Sequence, residues 1–85
     1  MTFPVEISKK AQKELKSLDK ISAKRCIEKI ALLESNPFSR EAIKVKGEQN
    51  VYRIRFGKYR ILYEVYHERK LALIVEIDKR ERVYD

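Results

Sequence analysis

The segment Val51-Tyr-Arg-Ile-Arg-Phe-Gly-Lys-Tyr-Arg-Ile-Leu-Tyr63 predicts a β-hairpin, because apolar and charged residues alternate on both sides of Gly57-Lys58. A two-residue connection with glycine first suits a type II′ turn, since only glycine adopts the required positive φ at little cost. That turn fixes the strand register and places Arg55 opposite Arg60. One face of the hairpin is then apolar and should join the core, and it consists of Tyr52, Ile54, Phe56, Tyr59, Ile61 and Tyr63.

The other face of the predicted hairpin carries Arg53, Arg55 and Arg60, with Arg53 opposite Leu62. Like charges directly opposite each other on a sheet cost roughly 0.2 to 1 kcal/mol. A fold does not adopt that arrangement for its own stability, whereas a bound polyphosphate between the arginines would offset the repulsion. This face therefore predicts an anion site, and an ordinary solvated strand face is the alternative for Arg53 and Arg55.

The chain as a whole is basic, with a formal net charge of +7 over 85 residues and a pI near 9.6. A positive field favours polyanionic partners, and solubility alone is the other interpretation. Much of the excess is local, because six cationic side chains between residues 44 and 60 are accompanied by Glu48 as the one acidic residue. A nucleic-acid partner is therefore preferred. The candidate phosphate-binding residues are Lys44, Lys46, Arg53, Arg55, Lys58 and Arg60.

Length and cysteine content favour a single intracellular domain. A chain of 85 residues is long enough to fold without disulfides or metals, so residues 1–85 should form one domain. Cys26 is the only cysteine, which excludes an intramolecular disulfide and fits a reducing cytoplasm. No apolar stretch approaches the ~18 to 20 residues of a membrane span, and the N-terminus lacks a signal-peptide layout. We therefore expect a cytoplasmic protein without membrane partners.

The first half of the chain predicts a strand and two helices. Residues 2–7 alternate like a short strand, and Ser8 is placed to cap a helix from Lys9 to about Leu18. A second helix follows at once and ends before Asn36-Pro37, because the residue before proline is pushed out of the helical region. Its apolar stripe comprises Ala23, Cys26, Ile27, Ile30 and Leu33.

The second half of the chain predicts β-structure. A short extended piece at residues 43–46 precedes three strands, at Val51–Phe56, at Tyr59–Tyr66 and at residues 71–77. The last of these is a nearly continuous apolar run, which is typical of a strand covered on both faces. An N-terminal strand, a helical hairpin and an antiparallel β-meander together give the α+β class.

Four short motifs follow one another in this second half. They are Lys44-Val-Lys-Gly47, Tyr52-Arg-Ile-Arg55, Tyr59-Arg-Ile-Leu-Tyr63 and Lys79-Arg-Glu-Arg82 followed by Val83-Tyr84. In this order and spacing they resemble the RelE/ParE superfamily of toxins from toxin–antitoxin modules, the RelE branch more than the ParE branch. The resemblance covers nearly the whole chain and implies the RelE-like microbial RNase fold.

The same resemblance implies an activity and partners. A RelE-like toxin enters the ribosomal A site and cleaves the messenger RNA there, by attack of the 2′-hydroxyl on the neighbouring phosphate, without a metal or other cofactor. The implied partners are the ribosome, its mRNA and a cognate RelB-like antitoxin that silences the toxin. Two other functions stay open: a ParE-like inhibitor of DNA gyrase, and an RNA-binding module without turnover.

Candidate catalytic residues also follow from the resemblance, position by position. Arg53 and Arg55 stand where well-known RelE enzymes have lysines, and Arg60 matches the phosphate-clamping arginine. Arg80 matches the arginine proposed as general acid, and Tyr84 the C-terminal tyrosine that stacks and handles protons. Arginines in place of these lysines keep the positive charge and can bind phosphate in a bidentate manner. Any proton-transfer role of the lysines is changed, because an arginine does not deprotonate in proteins. Tyr84 follows Arg80 two residues sooner than in the family.

The usual nuclease groups are scarce in this sequence. His67, the one histidine, lies in the polar connection between the last two predicted strands and is interpreted as a solvated turn residue. The acidic residues are scattered without the spacing of metal ligands, so no metal site is predicted.

Overall fold

The computed structural model of the protein describes residues 3–79. One five-stranded sheet has the order β1-β5-β4-β3-β2, with β1 parallel to β5 and the remaining neighbours antiparallel. The predicted α+β class is confirmed, with two helices followed by a meander. The elements in chain order are β1 (Val5–Ile7), α1 (Lys9–Lys16), α2 (Lys20–Ser35), β2 (Ile43–Lys44), β3 (Val51–Phe56), β4 (Tyr59–Tyr66) and β5 (Leu71–Lys79).

The β3–β4 hairpin has the register that its turn sequence predicts. Arg55 pairs with Arg60 and Phe56 with Tyr59 across the two-residue connection. Gly57 has a φ of 57°, whereas the one non-glycine residue of positive φ within residues 3–79 is Lys70. A positive φ at the first turn position alone is the property of a type II′ turn. The turn chemistry therefore sets the faces of both strands.

Polar side chains cap both helices. The Ser8 hydroxyl oxygen accepts a hydrogen bond from Ala11 N at 3.1 Å, and the Ser8 hydroxyl donates to Val75 O at 3.2 Å. The predicted cap is confirmed, and it also joins α1 to β5. Asp19 caps α2 by accepting from Ser22 N at 3.1 Å, which lowers the pKa of its carboxyl.

The core lies on the one face of the sheet that both helices cover. Its buried members are Ala11, Cys26, Leu33, Ile54, Phe56, Ile61, Tyr63, Val65, Ala72, Ile74 and Ile77. Two expectations are wrong. Ile27 is 55% exposed and stands outside the apolar stripe of α2. The strand β5 is covered on one face only, since Ala72 and Ile74 are buried while Leu71 and Leu73 are partly exposed.

The helix α1 closes the edge of β5 beyond the short strand β1. β1 pairs with β5 only from Ala72 to Ile74, so the next residues of β5 have no strand on that side. The Glu14 carboxylate of α1 accepts a hydrogen bond from Ile77 N at 2.8 Å there, and Lys10 pairs with Glu76 at 3.3 Å. These contacts hold the end of β5 in place. No helix in the described part of the chain is long and apolar enough to cross a membrane.

Candidate phosphate-binding groove

A groove of about 460 Å³ opens on the sheet face that the helices leave uncovered. Two arginines, two lysines and three aliphatic side chains surround it, so its lining combines cationic and apolar groups. We call it the basic groove. Its lining residues are Ile43, Lys44, Val45, Lys46, Arg53, Arg60 and Leu62.

Arg53 lies in the middle of the basic groove. On β3 it pairs in register with Ile43 of β2 on one side and with Leu62 of β4 on the other. The side chain is therefore half-buried between two aliphatic neighbours. An arginine stem packs well against such surfaces while its guanidinium remains at the polar end of the side chain. This setting orders the side chain before any ligand arrives, which favours bidentate phosphate binding.

Arg60 has an acidic neighbour that the sequence does not predict. In register it lies between Arg55 on β3 and Asp78 on β5, and its Nη2 atom is 3.8 Å from Asp78 Oδ2. The expected row of like charges is thus partly neutralised. Asp78 was hard to foresee because regular pairing counted back from the β4–β5 turn would place Ile77 opposite Arg60. A register shift at Leu62/Tyr63 displaces the strands by one residue.

The basic groove gathers four of the predicted phosphate ligands and leaves out two. Arg55 is exposed and lines a separate cavity of about 370 Å³ between β3 and α2. Lys58 lies at the hairpin tip, where its Nζ is 5.9 Å from the centre of the Tyr59 ring. Tyr59 belongs to the helix-covered face. The cavity that includes Arg55 is lined by Arg25, Glu28, Lys29, Arg55, Phe56 and Gly57.

The two remaining candidates, Arg80 and Tyr84, lie outside the described residues. The described chain ends at Lys79, which pairs with Tyr59, the residue before Arg60. The last described residue of β5 therefore lies at the end of the sheet that also contains Arg60.

Other reactive side chains lie away from the basic groove. The ring of His67, in the β4–β5 turn, stacks on Phe38 with centroids 5.3 Å apart and an angle of 11° between the rings. Cys26 is fully buried, and burial raises the pKa of its thiol to about 11. It is the small buried hydrophobe that the helical stripe predicts. Between residues 3 and 79, no three His, Cys, Asp or Glu side chains gather into a metal-ligand set.

The tyrosines of the hairpin mainly support the core. Tyr63 is fully buried, and its hydroxyl donates a hydrogen bond to Pro37 O at 2.7 Å. Burial raises the pKa of the Tyr63 hydroxyl, and the neighbouring Tyr52 raises it further. Tyr66 hydrogen-bonds to Glu64, which raises the pKa of Tyr66. None of these three hydroxyls lines the basic groove.

Comparison with known proteins identifies the family. The family described as the ParE toxin of the type II toxin–antitoxin system parDE matches residues 5–84. The chain is 38% identical over 87 residues to the protein described as toxin RelE1 of Methanocaldococcus jannaschii, across 99% of this chain and 97% of that one. The RelE–RelB complex of Pyrococcus horikoshii gives a TM-score of 0.82 at 34% identity, covering 98% of this chain and 100% of the other. Isolated Escherichia coli RelE shares the fold, with a TM-score of 0.84 at 22% identity, over 95% of this chain and 87% of that one. The chain therefore belongs to the RelE/ParE superfamily and is a RelE-like toxin of a type II toxin–antitoxin system.

Proposed function

We propose that this toxin is a ribosome-dependent endoribonuclease that cleaves messenger RNA in the A site and so inhibits translation in the cytoplasm. The basic groove carries the proposal. Its cationic residues converge on one concave surface, and the part of its lining that residues 3–79 supply contains no His, Asp, Glu or Tyr side chain. Such a site can bind a phosphate strongly and stabilise the negative charge of a phosphorane. It contributes little to proton transfer, since arginine does not deprotonate.

In the proposed reaction the 2′-hydroxyl oxygen attacks the adjacent phosphorus in line with the P–O5′ bond. That bond breaks, so the products are a 2′,3′-cyclic phosphate and a 5′-hydroxyl. Arg60 and Arg53 hold the non-bridging oxygens, while Arg55 and the lysines at positions 44, 46 and 58 bind neighbouring phosphates. The 2′-hydroxyl proton leaves to solvent or a lysine, and the departing O5′ receives a proton with the help of Arg80 and Tyr84. The last two roles rest on the family resemblance.

A cognate RelB-like antitoxin is the proposed partner that silences this activity. The support is the Pyrococcus horikoshii relative, a RelE that is found in a complex with RelB. A basic groove of this kind is electrostatically complementary to an acidic peptide segment, and covering it would block phosphate binding.

Inhibition of DNA gyrase is the second candidate function, because the matching family is described as ParE. A protein target does not require phosphate ligands that converge in a groove. The two functions therefore differ in their dependence on Arg53 and Arg60, which should matter for RNA cleavage and little for gyrase.

Purified toxin added to a translation extract should leave cuts in ribosome-bound message, while free RNA of the same sequence is cleaved at least about 100-fold more slowly. The reason is that the basic groove orders phosphates but lacks good proton-transfer groups, so alignment of the substrate by the ribosome must supply much of the rate. Primer extension on both RNAs measures the difference. Equal cleavage of free RNA, or stalled gyrase complexes with intact message, would contradict the proposal.

Replacing Asp78 by asparagine should tighten the binding of a non-cleavable RNA oligonucleotide up to about fivefold. In the wild type, Arg60 must give up its ion pair with the Asp78 carboxylate at 3.8 Å when it binds a phosphate, and in the variant it does not. Partly exposed ion pairs of this kind contribute at most about 1 kcal/mol. Fluorescence anisotropy measures the affinity, and Glu68→Gln in the β4–β5 turn removes the same charge away from the groove. Weaker binding by Asp78→Asn would instead mean that Asp78 orients Arg60 for the phosphate.

A further inference from the structure

A second concentration of positive charge lies in the helical part of the protein. Residues 8–25 contain seven lysines and arginines and two acidic side chains. Residues 44–60 contain six lysines and arginines and one acidic side chain. Both acidic residues of this first segment already have structural partners. Glu14 accepts from Ile77 N, and Asp19 caps α2. The charge of the helices is therefore as large as that of the segment that forms the basic groove.

Five lysines of this segment are exposed, and we call them together the lysine ridge: Lys9, Lys13, Lys16, Lys20 and Lys24. The first three are spaced by four and three residues in α1, so they share the helix face opposite the buried Ala11. The last two share one face of α2, and the short turn at residues 17–19 joins the two groups. No acidic side chain of residues 3–79 lies within 4 Å of a ridge amine, unlike Lys10, which pairs with Glu76.

Part of the lysine ridge opposes the stability of the helices that carry it, whereas Lys13 and Lys16 lie in the last turn of α1, where the helix dipole favours cations. Lysines three and four residues apart repel each other along a helix. Lys9 and Lys20 are the first residues of α1 and α2, where the helix dipole favours acidic side chains, and neither helix has an acidic residue in its first turn. An ordinary solvated face would mix both signs of charge. Like charges at these spacings, with no acidic side chain of residues 3–79 close to their amines, favour an anionic partner.

The position and composition of the lysine ridge indicate what that partner is. The helices cover one face of the sheet and the basic groove opens on the other, so the two basic surfaces lie on opposite sides. The large exposed apolar side chains of the helices are Ile21, Ile27 and Leu32 of α2, whereas α1, which carries three of the five ridge lysines, exposes none. A protein partner would need apolar contact area beside the α1 lysines, whereas a phosphate backbone needs only cations.

We propose that the lysine ridge is a second RNA-binding surface, which holds the phosphate backbone of folded RNA while the basic groove holds the strand to be cut. This proposal rests on the proposed function, because it assigns the folded RNA to the ribosome. A protein with cationic surfaces on both sides of its sheet would fit between RNA segments, as binding within a ribosomal site requires.

The triple variant Lys13→Gln/Lys16→Gln/Lys20→Gln tests this surface through its binding to purified ribosomes over a salt series from about 50 to 200 mM. Glutamine has nearly the helix propensity of lysine, so α1 and α2 should still form. Each duplex phosphate contact contributes about 0.9 to the slope of log affinity against log salt, so the slope should fall by about 2 to 3. The affinity at the lowest salt should fall at least tenfold. The matched control Arg40→Gln/Arg69→Gln/Lys70→Gln loses three exposed charges elsewhere.

The control variant should change the slope by less than about 1, and a Lys→Arg triple at the ridge positions should bind like the wild type. Equal losses in the ridge and control variants would overturn the proposal, because net charge alone would explain them. An unchanged ribosome affinity with weakened binding of the cognate antitoxin would overturn it in favour of a protein partner. The assay does not depend on cleavage, so ridge binding remains measurable if the message is not cut.

Discussion

Replacing Arg60 by alanine should reduce cleavage of ribosome-bound message by roughly 10²- to 10³-fold and remove toxicity, the loss expected when one preorganised donor to a developing oxyanion is deleted. Arg60 lines the basic groove, and its side chain is 25% exposed, so it is partly withdrawn from water where electrostatic interactions are stronger. Single-turnover cleavage on programmed ribosomes measures the effect. Arg69→Ala, in the exposed β4–β5 turn, removes the same side chain outside the groove and should retain full activity.

The same substitution should leave the free energy of unfolding within about 1 kcal/mol of the wild type. Arg60 is opposed by Arg55, which costs roughly 0.2 to 1 kcal/mol, and attracted by Asp78, which contributes about as much. These two effects oppose each other, so we expect the toxin to lose activity while remaining folded. A fall in melting temperature of more than about 8 °C would show that Arg60 is structural and that lost activity reflects unfolding.

The hairpin was predictable because its determinants are local. Gly57-Lys58 selects the turn, the turn selects the register, and the register places Arg53 and Arg60 on the face away from the helices. No long-range contact is needed at any step. The caps at Ser8 and Asp19 are local in the same sense, so the start of each helix is encoded within a few residues.

The composition of the site was less predictable because it depends on how distant strands meet. The one-residue register shift between β4 and β5 places Asp78 opposite Arg60, and no local sequence motif predicts that shift. Likewise β2 pairs only with Tyr52 and Arg53, so Arg55 lies beyond the end of that strand and lines the cavity next to α2. Strand alternation assigns Arg53 and Arg55 to one face of the sheet. Because β2 ends beside Arg53, the two arginines nevertheless line different cavities.

Sequence patterning also misjudged burial where tertiary packing decides it. The apolar run of β5 suggested cover on both faces, yet α1 and α2 pack on the same face and leave Leu71 and Leu73 partly exposed. Ile27 fits the helical period of α2 but turns away from the sheet. Periodicity defines a helix face, whereas its neighbours decide how wide a stripe becomes buried.

Removing Val83-Tyr84-Asp85 should lower the cleavage rate by about 100-fold or more, the usual contribution of one acid–base group, while affinity for the ribosome stays within about tenfold. Lysine and arginine contacts to phosphate dominate nucleic-acid affinity, and this deletion removes none of them. All buried core residues within residues 3–79 are kept in the shortened toxin, so we expect it to fold. Single-turnover rates and binding constants on the same ribosomes measure the two quantities separately.

Tyr84→Phe separates the two roles that a tail tyrosine could have. The other four tyrosines lie in β3 and β4, so Tyr84 supplies the one hydroxyl of this kind outside those strands. Phenylalanine keeps base stacking and loses the hydroxyl, so a rate as low as that of the truncation assigns proton handling to Tyr84. A normal rate in Tyr84→Phe with a slow truncation assigns stacking instead. Wild-type rates in both variants would show that the tail is inert, and catalysis would then depend on Arg80 and the lysines at positions 44 and 46.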